Sequence, residues 1–109
     1  MHTISQVNDT SFRTRVLSQN GRPVVVLFTK PGCTACVSAR SAVSKFAAAY
    51  AGKADVYTAD IAMNPQLRAT YPRDGVPLVV VFHEGQEVWR RVGGSVKADM
   101  ISMWVDDLL

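Results

Sequence analysis

The stretch Val24-Val25-Val26-Leu27-Phe28-Thr29-Lys30-Pro31-Gly32-Cys33-Thr34-Ala35-Cys36 decides how this chain is read. It opens with a continuous β-branched and aromatic run, the pattern of a strand covered on both faces. Pro31-Gly32 then turns the chain. A long amphipathic stretch follows, with Ala39, Ala42, Val43, Phe46, Ala47 and Tyr50 at three- and four-residue steps. Cys33 and Cys36 at such a strand-to-helix junction are close enough to bond. The junction also sets Cys33 at a helix N-terminus, where unpaired N–H groups and the macrodipole favour a thiolate. Cys36, in the first turn, is expected to be more buried and to stay protonated until needed. Lys30 adds positive potential near Cys33 if its side chain turns that way.

Reading outward, strand and helix signals alternate. A weak strand near Ile4 precedes a first helix, capped by Asn8 or Asp9, with Phe12, Val16 and Leu17 on one side. Asn20-Gly21-Arg22-Pro23 stops it. The helix after the cysteines is predicted over about residues 34–51 and ends at Gly52. A second central strand follows at 54–59, then a short helix at 64–71 opened by Asn64-Pro65, with proline favoured at the first helical position. Strands at 79–83 and 87–92 flank Glu84-Gly85-Gln86 as a hairpin. After Gly93-Gly94, Ser95 is the expected cap of a last helix that buries Met100, Ile101, Trp104, Val105 and Leu108. Such alternation implies an α/β sheet with a parallel centre, to which the hairpin adds an antiparallel edge.

The 109 residues are 48% hydrophobic and 19% charged, enough for one compact globular domain over residues 1–109 without disulfide staples. A bond between the two cysteines closes almost no loop, so it would contribute little to stability. The net charge of +3 and pI near 9.1 are mild, and the basic residues are scattered apart from Arg90-Arg91, in a predicted strand. No nucleic-acid partner is therefore expected. The N-terminal residues lack a cationic stretch followed by an apolar run, and the apolar runs at 24–28 and 76–82 are too short to span a bilayer. A cytoplasmic protein with no membrane partner is the expectation. There a vicinal pair signals redox or metal chemistry. Zinc wants about four ligands, and only His2 and His83 are at hand, at the terminus and near a predicted hairpin tip. Neither a metal nor a cofactor is expected, and His83 reads as a surface strand residue.

Several motifs taken together make the chain similar to the thioredoxin family over nearly its whole length. Beyond the cysteine pair these are Gly75-Val76-Pro77, Val79-Val80-Val81-Phe82 followed by Gly85, Val92-Gly93, and Asn64-Pro65. The resemblance implies an α/β thioredoxin fold, a central mixed sheet of four to five strands flanked by about four helices. It also implies a cis Pro77 facing the cysteines, with the Val76 backbone pairing with an extended substrate segment. Gly32, Val76, Pro77 and Gly93 would then line a shallow substrate-binding surface around the catalytic Cys33 and Cys36. The implied partners are protein disulfides or dithiols, with thioredoxin reductase or glutathione as electron donor, and the implied state is a monomer.

The departures from that pattern matter as much. Leu27 stands where thioredoxins usually carry a buried acid that assists proton transfer from the second thiol, and Thr58 where a lysine accompanies it. Gly32 replaces the tryptophan before the first cysteine, and Thr34-Ala35 replaces Gly-Pro. Thr29-Lys30-Pro31-Gly32-Cys33 resembles a glutaredoxin lead-in, and Gly93-Gly94 is compatible with that family. The N-terminal strand and helix, and Gly75 where glutaredoxins commonly have threonine, argue against it. The function expected is disulfide exchange with protein substrates through Cys33 and Cys36. Two alternatives stay open: a glutathione-linked activity, and a non-enzymatic adaptor, for which the polar Pro72-Arg73-Asp74 segment speaks.

Overall fold

A computed structural model describes residues 4–72 and 75–109. Strands β1 (Ser5–Gln6), β2 (Val24–Thr29), β3 (Asp55–Asp60), β4 (Leu78–His83) and β5 (Gln86–Val92) form one sheet in the order β1-β3-β2-β4-β5. Helices α1 (Thr34–Ala49), α2 (Pro65–Thr70) and α3 (Ala98–Asp106) flank it, and a π-helical turn occupies Arg13–Leu17. The α/β mixed sheet is the expected one, with the helical segments in the expected order.

Helix length sets the strand directions. The 16 residues of α1 span about 24 Å, so the helix crosses the whole sheet and returns the chain for β3 to run parallel to β2. The 6 residues of α2 span about 9 Å, against about 20 Å for a strand of that length. Such a helix cannot carry the chain to the far end. β4 therefore enters where β3 left, antiparallel to β2 with Leu78 opposite Phe28, and β5 folds back on it. The parallel part is confined to β1-β3-β2, and the hairpin supplies the whole antiparallel half. In consequence the chain leaving β2 and the chain entering β4 meet at one end of the sheet.

Alternation along β2 separates two apolar layers. Val25 and Leu27, with Val79 and Val81, pack on Ala39, Val43 and Phe46 of α1 and on Ile101 and Val105 of α3. Val24, Val26 and Phe28, with Val80 and Phe82, pack on Phe12, Val16 and Leu67 on the other face. Burial on both faces is why no polar residue interrupts the run. Tyr71 closes the second layer, stacked on Phe28 at 5.3 Å and edge-on to Phe82 at 5.5 Å. Burial, with Glu87 nearby, raises its phenol pKa.

Three local features differ from expectation. Asn8 caps a tight turn instead of an α-helix: its Oδ1 accepts from the Thr10 and Ser11 N–H groups at 3.0 and 2.8 Å. The chain then widens into the π-helical turn, with Ser18 N–H donating to the Arg13 carbonyl at 2.8 Å, and Phe12 and Val16 still reach the core. Asp9 caps a different helix. Its carboxylate accepts from Gln66 and Leu67 N–H of α2 at 3.1 and 2.9 Å, while Asn64 Oδ1 accepts from Asp9 N–H at 2.9 Å. Ser95 caps nothing. Val96 is buried in the α1–α3 layer, Lys97 is the extended N-cap residue, and α3 starts at Ala98 without a side-chain cap.

Candidate active site

β2 delivers the chain to Thr29, and Lys30-Pro31-Gly32 turns it into α1. Gly32 takes φ +76°, a region that a side chain disfavours by about 1–2 kcal/mol. This accounts for glycine directly before the first cysteine. Cys33 is the N-cap of α1, extended at φ −92° and ψ 103°, and its Sγ accepts from Cys36 N–H at 3.1 Å. The two cysteines form a disulfide with Cα atoms 5.3 Å apart. Their exposure differs as expected: Cys33 is half-buried and Cys36 only 4% exposed. When the bond opens, the N–H aimed at Cys33 Sγ and the dipole of α1 favour negative charge on that sulfur.

Strand register brings the remaining residues to the same end of the sheet. Leu78 pairs with Phe28, so Val76-Pro77 precedes β4 beside the segment that leads to Cys33. The Val76–Pro77 peptide is cis, as expected. Pro77 is buried, Val76 half-buried, and the Val76 N–H and C=O make no backbone hydrogen bond to another described residue. Gly93 N–H donates to the Pro77 carbonyl at 2.8 Å, extending the β4–β5 ladder toward the cysteines. Gly94 then lies against α1. A Cβ there would stand 3.2 Å from both Cβ and O of Ala35, and Ser38 Oγ donates to the Gly94 carbonyl at 3.3 Å. Close approach therefore requires a small residue at Gly94. The sequence singled out Gly93 instead, although Ala35 was the signal that a small partner faces the loop.

Lys30 is exposed and makes no ion pair among the described residues. His83 sits at the opposite end of β4, its Nε2 3.3 Å from the Gly21 carbonyl, away from the cysteines. Among the described residues no group of three or more His, Cys, Asp or Glu is placed to hold a metal. His2, Arg73 and Asp74 lie outside the described residues. Leu27 is 0% exposed in the hydrophobic cluster beneath α1, with Thr58 its partner on β3. Beside the cysteines, a cleft of ≈ 290 Å³ is lined by Gln6, Thr29, Lys30, Pro31, Gly32, Cys33, Cys36, Val37, Arg40, Thr58 and Asp60. No sequence motif marks this cleft.

A family model described as Thioredoxin matches residues 3–107. Thioredoxin 1 of Nostoc sp. is 32% identical over 100 residues, covering 92% of this chain and 92% of its own. The thioredoxin of Mycobacterium bovis is 32% identical over 96 residues, 88% of this chain and 82% of its own. An uncharacterised M. bovis protein is 30% identical over 107 residues, taking in 97% of this chain but 35% of that longer protein. The chain belongs to the thioredoxin family. Family and cysteine pair together define, in general terms, a thiol-disulfide oxidoreductase. No helix among the described residues is long and apolar enough to cross a membrane.

Proposed function

We propose that the chain exchanges disulfides with protein substrates, with Cys33 as nucleophile and Cys36 as resolving thiol. The observation that carries this reading is the unequal environment of the pair, with Cys33 at the helix N-cap and Cys36 4% exposed. The Cys33 thiolate attacks a substrate disulfide, forms a mixed disulfide and expels one substrate thiolate. Cys36 then loses its proton and attacks the Cys33 sulfur. The Cys33–Cys36 bond forms, the second substrate sulfur leaves with the electron pair, and the substrate is reduced by two electrons. Gly32, Val76, Pro77 and Gly93 form the rim that receives an extended substrate segment. The backbone N–H and C=O of Val76, which make no backbone hydrogen bond to another described residue, support main-chain pairing there. Lys30 adds positive potential at the mouth of the site. In a reducing compartment such as the cytoplasm, thioredoxin reductase is the electron donor expected to reopen the bond.

Insulin reduction tests the reading. Turnover with dithiothreitol and with thioredoxin reductase is expected for the parent chain. Cys33→Ser should abolish it, and Cys36→Ser should accumulate covalent adducts with protein substrates. Full activity of Cys33→Ser would sink the proposal. Sustained turnover with glutathione and glutathione reductase, but not with thioredoxin reductase, would assign the donor to the glutathione class.

A further inference from the structure

Cys36 must lose a proton before its sulfur can attack, and among the described residues the hydrophobic cluster between β2 and α1 offers no carboxylate to take it. Val25, Leu27, Ala39 and Val43 are all fully buried there. The cleft beside the cysteines offers another route. Leu27 pairs with Thr58 and Thr29 with Asp60, so by the two-residue alternation of strands Thr29, Thr58 and Asp60 share the face that α1 covers. All three line the ≈ 290 Å³ cleft together with Cys36. That space holds several waters at about 30 Å³ each. Thr29 and Thr58, 5% and 9% exposed, make no side-chain hydrogen bond to another described residue, which leaves both hydroxyls to hold such water.

Asp60 supplies the carboxylate of this cleft. Its Oδ1 accepts from Ala62 N–H at 2.9 Å, and its Oδ2 has no partner among the described residues. The charged groups that face it are Lys30 from the loop and Arg40 from α1, neither ion-paired to it, and Asp9 across the adjoining groove. Asp9 is committed to the N-terminus of α2 through both oxygens. We propose that Asp60 accepts, through water in the cleft, the proton that Cys36 releases as it resolves the mixed disulfide. The step rests on the cycle proposed above. The Cys36 proton passes to the Asp60 carboxylate and the Cys36 thiolate attacks Cys33 Sγ. The Cys33–substrate bond breaks with its electron pair on the substrate sulfur, which regains a proton from solvent. The acid absent at Leu27 is thus supplied from the end of the neighbouring strand.

A stopped-flow reaction of the reduced chain with a symmetrical aromatic disulfide, whose thiolate is coloured, separates the two steps. The first burst reports attack by Cys33 and the second reports resolution by Cys36. Asp60→Asn should not slow the first burst and should slow the second about a hundredfold near pH 7, the low end of positioned proton transfer. Its second-phase rate should rise about tenfold per pH unit between about pH 6 and 8, as direct removal by hydroxide requires, while the parent's rises less steeply. Asp60→Glu should keep most of the parent rate. A second burst unchanged by Asp60→Asn in rate and pH slope, or both bursts slowed equally, would overturn the assignment. Absence of the first burst in the parent would instead refute the Cys33 cycle, and the role of Asp60 with it.

Discussion

Leu27→Asp is the sharpest probe of the ground beneath the cysteines. Leu27 is 0% exposed in the hydrophobic cluster beneath α1, with the Thr58 hydroxyl as its polar neighbour on the same face. Removing a buried leucine forfeits about 1.5–3 kcal/mol of burial. A carboxyl group left there without partners adds about 1–3 kcal/mol of desolvation. The expected loss is therefore about 2.5–6 kcal/mol, against about 5–15 kcal/mol for a whole domain. Its pH dependence has a definite sign. Burial raises the carboxyl pKa in the folded state above its unfolded value of about 3.9. The folded protein then binds the extra proton, so stability falls as pH rises through the window between the two values, by about 1.4 kcal/mol per unit. Urea unfolding at about pH 4.5 and about pH 7, read by tryptophan fluorescence, measures this, with Leu27→Asn as the neutral control whose penalty is flat. An unfolding midpoint equal to the parent's at both values, or a penalty that shrinks as pH rises, would mean that the Leu27 site does not disfavour a charged carboxylate.

Two further outcomes follow from the same packing. Asp9→Ala removes both acceptors from the first N–H groups of α2 and should lower stability by about 1–2 kcal/mol in urea, with Asp9→Asn keeping part of it; no change would mean the cap is idle. Gly94→Val places its Cβ 3.2 Å from Ala35 and adds methyl groups beyond it. It should weaken the fold by about 1–3 kcal/mol and slow insulin reduction severalfold by lifting the loop; parent-like activity would remove this loop from the site.

The β2 run, the amphipathic α1 and the hairpin were legible because each carries its own local signal: a continuous apolar strand, a helical period, and a turn between two alternating segments. The cis bond at Pro77 came from the resemblance, and the register of β4 on β2 explains why it lies at the cysteine end. Capping was less legible. Asn8 and Asp9 both read as caps of the segment that follows, yet Asp9 reaches 57 positions along the chain to Gln66. Ser95 has the right side chain for a cap, but burial of Val96 decides where α3 begins. The cleft was illegible for a different reason. Gln6, Thr29, Thr58, Arg40 and Asp60 come from three strands and a helix, and only the registers among β1, β3 and β2 reveal that they share one face. Each alone reads as an ordinary polar residue.

A redox titration decides whether Cys33 and Cys36 form a working thiol-disulfide couple. The chain is equilibrated in thiol-disulfide buffers of graded potential, quenched with an alkylating agent and weighed by mass spectrometry. One reversible two-electron transition is expected between about −270 and −120 mV, the span from reducing to strongly oxidising members of such couples, lost in Cys33→Ser. A pair that stays reduced, or stays bonded, across that whole range would contradict it.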